Sequence, residues 1–246
     1  MPKEYSFPKY PEAFRIIYQD LGITPKKRYL SDAEASMLLD GEVVLEEKLD
    51  GSTLFVTWSG GKPLLRAKGT RIISEFEKTK AFVGAYAWAY QNCEKLERIP
   101  HGLAIVGEWL YAMHSIPYNK LPDFFVAFDV LHVKSGKILP PKQRLKIFGD
   151  CGLASSPILH EGKVRYEDIP QFVKQSAFSS ASTGYAPPFA EMQQMEGIVV
   201  KSYGNLFMSG KHVTREFAES FELHWLEMPL TQNKLKGWKS GNSAGT

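Results

Sequence analysis

The chain has 246 residues, 43% hydrophobic and 23% charged, with a formal net charge of only +3. It is long enough to bury a sizeable core, and its near-balance of charge excludes binding to polyanions through bulk charge, so any nucleic-acid surface must be local. Two cysteines, Cys93 and Cys151, are too few for a disulfide framework or a zinc site. With no apolar run of membrane-spanning length and no apolar signal core at Met1–Tyr5, the expected setting is cytoplasmic, away from membranes.

In chain order, Phe14, Ile17, Tyr18 and Leu21 recur at helical spacing and predict a helix over 11–21. Lys26-Lys27-Arg28 is a candidate basic patch, or a solvated loop. Ser31 and Glu34 make a capping-box pair for a short helix ending near Gly41. Residues 42–47 read as a strand, and 53–58 with 63–68 as a hairpin closed by Ser59-Gly60-Gly61-Lys62. Ser74 and Glu77 form a second capping-box pair, predicting a helix to about Asn92 with an aromatic core stripe. Strands follow at 103–109 and 124–133. Pro140-Pro141 opens a helix stopped by Gly149 and Gly152. Residues 167–178 read as helical and 179–188 as a loop. Strands at 197–202 and about 205–213 return to the sheet. Residues past 217 are ambiguous, and 239–246 have the composition of a flexible tail. Hairpin-paired strands mixed with helices give an α+β fold of largely antiparallel sheets, with 1–238 as one domain.

The chemistry centres on Lys48-Leu49-Asp50-Gly51-Ser52, at the end of the apolar run Val43-Val44-Leu45. K-x-D-G alone is also a common surface turn. A lysine attacks phosphorus only as the neutral amine, and with a pKa of about 10.4 roughly one in 2,500 is neutral at pH 7. A nucleophilic Lys48 therefore needs positive charge, a metal or burial to lower its pKa. Behind it come, in order, Gly107-Glu108-Trp109, the run Phe124 to Leu131 with Asp129 inside it, Glu196-Gly197-Ile198-Val199-Val200-Lys201, and Lys211. Each block is an apolar, strand-like run with a charged or aromatic residue at a set place.

That ordered series resembles the covalent nucleotidyltransferase superfamily of DNA ligases, RNA ligases and mRNA capping enzymes. Glu46-Glu47-Lys48-Leu49-Asp50-Gly51-Ser52 is most similar to the ATP-dependent RNA ligases, and the resemblance covers about residues 42–219. It implies a nucleotidyltransferase core, ATP-grasp-like in its antiparallel sheets flanked by helices. It implies that Lys48 attacks the α-phosphorus of ATP and carries AMP. Glu108 would contact the ribose or a metal-bound water, and Glu196 would help hold Mg²⁺ or Mn²⁺. Phe128 would stack on adenine, Glu47 would line the nucleotide site, and Lys201 and Lys211 would be the cations on the α-phosphate. One of Arg66, Lys68 and Arg71 would meet the ribose or the RNA end.

The chain departs from the family twice. RNA ligases carry Lys-x-Lys at the last motif, whereas this chain has Lys211-His212-Val213, leaving Lys201, Arg215 or His212 as substitutes. Only 35 residues follow Lys211, too few for an appended OB-fold domain, so substrate grip would come from a partner protein or an unusual surface. The implied activity is ATP-dependent joining of RNA 5′-phosphate and 3′-OH ends, on nicked duplex or single strands. A minimal DNA ligase, and a non-catalytic nucleic-acid-binding relic of the fold, are the alternatives.

Overall fold

Among the described residues, nine strands build two sheets whose inner faces meet over a cleft. The structure, a computed structural model, describes residues 8–16, 29–69, 71–180, 194–204, 206–214, 217 and 229–237. Its elements are β1 (Phe14–Arg15), α1 (Asp32–Leu39), β2 (Val43–Glu47), β3 (Ser52–Ser59), β4 (Lys62–Ala67), α2 (Ala85–Gln91), α3 (Cys93–Leu96), β5 (Leu103–Trp109), β6 (Phe125–His132), α4 (Pro141–Cys151), β7 (Ile158–Gly162), a 3-10 helix (Tyr166–Phe172), β8 (Gly197–Tyr203) and β9 (Phe207–Val213). One sheet has the order β1-β9-β8-β2-β7, the other β4-β3-β5-β6. All pairings between these strands are antiparallel except β1 with β9. The expected α+β architecture of largely antiparallel sheets is the one observed.

Strand alternation decides which residues reach the cleft. In β3, Leu54 and Val56 pack outward with Trp88, Leu96 and Phe148 in a core shared with the helices. Phe55 between them turns inward beside Tyr10 and Val106. In β2, Val43 and Leu45 pack with Leu38 of α1 and with Ile198 and Val200 of β8. Glu46 takes the opposite face and lines the cleft.

Several local expectations fail for identifiable reasons. Within 11–16 the chain is extended: Phe14–Arg15 pairs with Gly210 and Lys211, and Phe14 and Ile16 pack beside Leu38. Residues 17–21 of that expected helix lie outside the described residues, as do Lys26-Lys27-Arg28, most of the 179–188 loop, Arg215 and the 239–246 tail. The Ser31–Glu34 capping box forms, with Ser31 N donating to Glu34 Oε2 at 2.8 Å. The Ser74–Glu77 pair does not, because Glu77 is held by Arg71 and by Thr79 N, and the helix starts only at Ala85. The expected 167–178 helix is a 3-10 turn ending at Phe172, with Pro170 inside it. Strand β7 was not expected; it pairs with β2 across more than a hundred residues. Among the described residues no helix is long and apolar enough to cross a membrane.

Candidate active site

Lys48 follows β2 directly, and its backbone N–H donates to Gly197 O at 3.0 Å. That places it at the cleft floor, where its ammonium is paired with the Glu196 carboxylate. Two glycines let the backbones close here. A Cβ on Gly197 would sit 1.9 Å from His212 O, and one on Gly51 would sit 2.6 Å from Trp109 O. Gly51 is thus required for space, where the sequence suggested a turn. Asp50 is an anchor: its Oδ2 accepts from Ser115 N at 2.8 Å and Ile116 N at 3.1 Å.

From the facing sheet, Glu108 on β5 lines the same cleft, with Thr53 Oγ1 donating to its carboxylate at 3.5 Å. Burial, with the Glu196 and Asp50 carboxylates nearby, pushes the Glu108 pKa up to about 8, against the opposing pull of Lys48 and Lys68. Burial raises the Glu196 pKa too. Lys48 departs from the sequence argument. Burial alone would lower its pKa, but Glu196 and Asp50, with Glu108 behind them, outweigh burial and raise it. The isolated site therefore holds Lys48 as the cation.

Phe128 owes its position to a bulge. Val106 of β5 pairs with Asp129 and Gly107 pairs with Ala127, so Phe128 is the extra residue of β6, and it lines the cleft. Its unladdered carbonyl accepts from Arg144 and, at 3.2 Å, from Lys201 Nζ. Behind the ring lies a buried network. Lys201 Nζ is 2.8 Å from Glu46 Oε2 and 3.0 Å from Asp129 Oδ2, Arg144 pairs with Glu46, and Tyr10 and Tyr203 donate to Asp129. Lys201 thus lines the cleft with its ammonium paired to Glu46 and Asp129.

The structure sorts the remaining candidates. Lys68 lines the cleft. Arg66 does not: it is buried, stacked 4.1 Å over Phe55 and donating to Gly69 O. Arg71 does not either, being paired with Glu77 over Phe82. Glu47 lines the cleft too, and its carboxylate accepts from Ser176 Oγ and from Ala177 N at 3.1 Å. Lys211 lines the cleft on β9 and acts electrostatically on Glu196. His212 alternates to the other strand face, opposite Ile198. The cleft-facing neighbour of Lys211 is Ser209, which lines the cleft with Lys211. Ser209 is 9% exposed, and its hydroxyl has no hydrogen-bond partner among the described residues.

Tyr10, Arg144, Ser209 and the structural role of Asp129 were missed. Asp129 carried a signal, as the one charge in an apolar strand, because a buried carboxylate demands partners. Among the described residues no group of three or more His, Cys, Asp and Glu could hold a metal ion. Two buried carboxylates short of positive charge suit Mg²⁺ or Mn²⁺ that completes its shell with phosphate oxygens and water.

Two sheets closing on a lysine at a strand end, faced by two glutamates and an aromatic ring, define a nucleotidyltransferase-type cleft. The RNA ligase family model matches residues 41–215, and the chain belongs to that family. Comparison with curated protein sequences gives no significant match. Among solved structures, the Naegleria gruberi RNA ligase with PPi matches at a TM-score of 0.60 and 17% identity, over 87% of this chain and 58% of that one. A substituted form of the same ligase with ATP and Mn matches at 0.58 and 16%, over 88% of this chain and 59% of that one. Another, with AMP and Mn, matches at 0.53 and 17%, over 76% and 53%. At these identities the likeness is one of fold, and the chain spans under three fifths of the length of the chains it matches.

Proposed function

We propose that this protein is an ATP-dependent RNA ligase working through a lysyl-AMP intermediate. The observation that carries the reading is the pairing of Lys48 with Glu196 on the cleft floor, faced by the buried Glu108 and the bulged Phe128. Lys48 Nζ attacks the α-phosphorus of ATP, forming the N–P bond as the bond to pyrophosphate breaks. A 5′-phosphate oxygen of the RNA then takes the AMP, and a 3′-OH displaces AMP to close the strand. Phe128 offers a face for the adenine, and Lys211 and Lys68 offer positive charge at the cleft wall. Glu108 and Glu196 would hold the divalent ion, which when bound supplies charge neutralisation at the α-phosphate. Occupying those two carboxylates also weakens the hold that Glu196, Asp50 and Glu108 together keep on the Lys48 proton, which favours the neutral amine in the loaded site. The ATP, AMP and Mn bound to the Naegleria gruberi ligase support this reading.

The test is incubation with α-labelled ATP and Mg²⁺ or Mn²⁺, followed by denaturation. Label stays on the wild-type protein and is absent from Lys48→Ala, whose unfolding transition is otherwise intact. Lys48→Arg also fails, since guanidinium does not deprotonate at usable pH. Label persisting on Lys48→Ala would overturn the assignment. RNA preference is checked with nicked duplexes differing only in the sugar at the 3′-OH end; the RNA terminus seals faster, because the 2′-OH and A-form shape are what distinguish RNA.

A further inference from the structure

The register of the larger sheet sets its side chains in rows across the strands. One row runs from Lys211 on β9 through Val199 on β8 to Glu46 on β2, each the register partner of the next. Register partners point to the same face of a sheet, and all three line the cleft. The neighbouring row sets Ser209 against Lys201, and both line it too. The row of Lys211 does not stop at β9. On β1, Arg15 is the register partner of Lys211, so its side chain leaves the sheet on the cleft face. Alternation along β1 agrees. Phe14 and Ile16, on either side of Arg15, pack on the opposite face with Leu38, and Ala13, two residues before Arg15, lines the cleft. The backbone there is held on both sides, by Ile16 N donating to Lys211 O at 3.0 Å and Leu30 N donating to Arg15 O at 2.8 Å.

Arg15 is half-buried. Its Nε is shielded from water with no hydrogen-bond partner among the described residues, and Arg15 enters none of the ion pairs among them. A buried N–H without an acceptor is costly, and like charges set side by side on neighbouring strands repel. A polyanion lying across Lys211 and Arg15 relieves both. The span fits a triphosphate. Lys48 continues β2, with β8, β9 and β1 following in turn. At about 4.8 Å per strand, Lys211 starts about 10 Å across the sheet from Lys48 and Arg15 about 14 Å. With Lys48 at the α-phosphorus, Lys211 falls nearer that phosphate and Arg15 nearer the far end of the chain of phosphates. The other candidates for a second cation are placed differently: Lys201 is paired with Glu46 and Asp129, and His212 lies on the opposite strand face.

We propose that Arg15 is the second cation of the cleft and holds the β- and γ-phosphates of ATP beside Lys211, in place of the lysine missing from Lys211-His212-Val213. The proposal rests on the ligase reading and adds the residue that holds the leaving group. As Lys48 Nζ bonds to the α-phosphorus, the bond from that phosphorus to the bridging oxygen breaks. The electron pair stays on pyrophosphate, and the amine's proton passes to water. Arg15 keeps the pyrophosphate on the side away from Lys48 and meets the charge that builds there.

The experiment compares wild type, Arg15→Ala and Arg15→Lys in two reactions: labelling by α-labelled ATP, and sealing of an RNA end that already carries AMP. Only the first expels pyrophosphate. Arg15→Ala is expected to lose about 100-fold in the labelling rate, the scale of one lost contact to developing charge, and Arg15→Lys to recover part of it. Sealing of the pre-adenylylated end should fall far less than labelling. Labelling of Arg15→Ala at the wild-type rate overturns the proposal. So does an equal loss in both reactions, which would make Arg15 a support of the fold. Absence of label on wild type would sink the ligase reading instead, and calorimetric titration with inorganic tripolyphosphate then decides Arg15. Binding about 10- to 100-fold weaker in Arg15→Ala, as for one charge-assisted hydrogen bond, upholds the phosphate contact, and equal affinity overturns it.

Discussion

Two charge clusters share β2 and β8 and are built on opposite principles. Behind Phe128, the carboxylates of Glu46 and Asp129 meet the cations of Lys201 and Arg144, two against two, with tyrosine hydroxyls filling in. At the cleft floor, Asp50, Glu108 and Glu196 crowd one half-buried lysine, with Lys68 and Lys211 farther out. The first cluster is complete in the folded chain. The second sets three carboxylates around one close lysine, and there burial, with Glu196 and Asp50 adding to it, raises the Glu108 pKa to about 8. On the proposed function the first cluster is scaffold and the second is the one that ligands complete.

Substitutions should therefore divide cleanly between activity and stability. Glu196→Gln is expected to cut ATP labelling by about 100-fold or more, as loss of a transition-state contact does. Its denaturant midpoint should hold or rise, because one excess carboxylate is gone. Labelling that matches wild type across Mg²⁺ concentrations would make Glu196 merely a strand end. Asp129→Ala should do the reverse in origin, lowering stability by about 3–5 kcal/mol because Lys201 and Arg144 lose a buried partner. A midpoint within error of wild type would show that the network is not sealed.

How much of this contrast was legible in the sequence depended on how local its cause was. Lys48, Glu108, Glu196 and Lys211 end or interrupt apolar runs whose order carried the family resemblance, and that resemblance, with no help from alternation, singled out Phe128. The bulge that aims Phe128 is a register event between β5 and β6, invisible along one strand. Arg144 went unremarked because nothing within α4 announces the buried Glu46 and Asp129 it meets. Phe14 and Ile16 suited a helix as well as a strand, and only β9, some two hundred residues later, decides between them. Ser209 was passed over because the missing second lysine was sought after Lys211, whereas the cleft-facing position lies two residues before it.

The pH dependence of stability sharpens the same comparison by a smaller amount. In the metal-free protein, Glu108 keeps its proton up to about pH 8, whereas in the unfolded chain it loses it near 4.5. Between those values the native state binds the extra proton, so the Glu108 contribution to stability is full below about pH 4.5 and is lost as pH rises toward 8. The fall should be on the order of a few kcal/mol. Glu108→Gln should flatten it, and Mg²⁺ should oppose it; unfolding midpoints at a series of pH values read both. A slope unchanged in Glu108→Gln would place the excess charge elsewhere. The smallest effect is expected at Ser209. Its hydroxyl has no hydrogen-bond partner among the described residues; on the proposed function it meets the nucleotide, so Ser209→Ala should weaken ATP binding by about 5- to 10-fold, one hydrogen bond's worth, with little change in folding. Calorimetric titration measures it, and unchanged affinity would exclude a ligand contact there.

The claim that the cleft floor is incomplete until loaded is tested most directly by the titration of Lys48 itself. NMR of the side chain, with the signal assigned by its loss in Lys48→Ala, gives its pKa in the metal-free protein and again with Mg²⁺ and a non-reactive ATP analogue. The account predicts a value above that of an ordinary lysine in the first state and a clear fall in the second. A pKa already depressed without the cation, or one that does not move on loading, would contradict it.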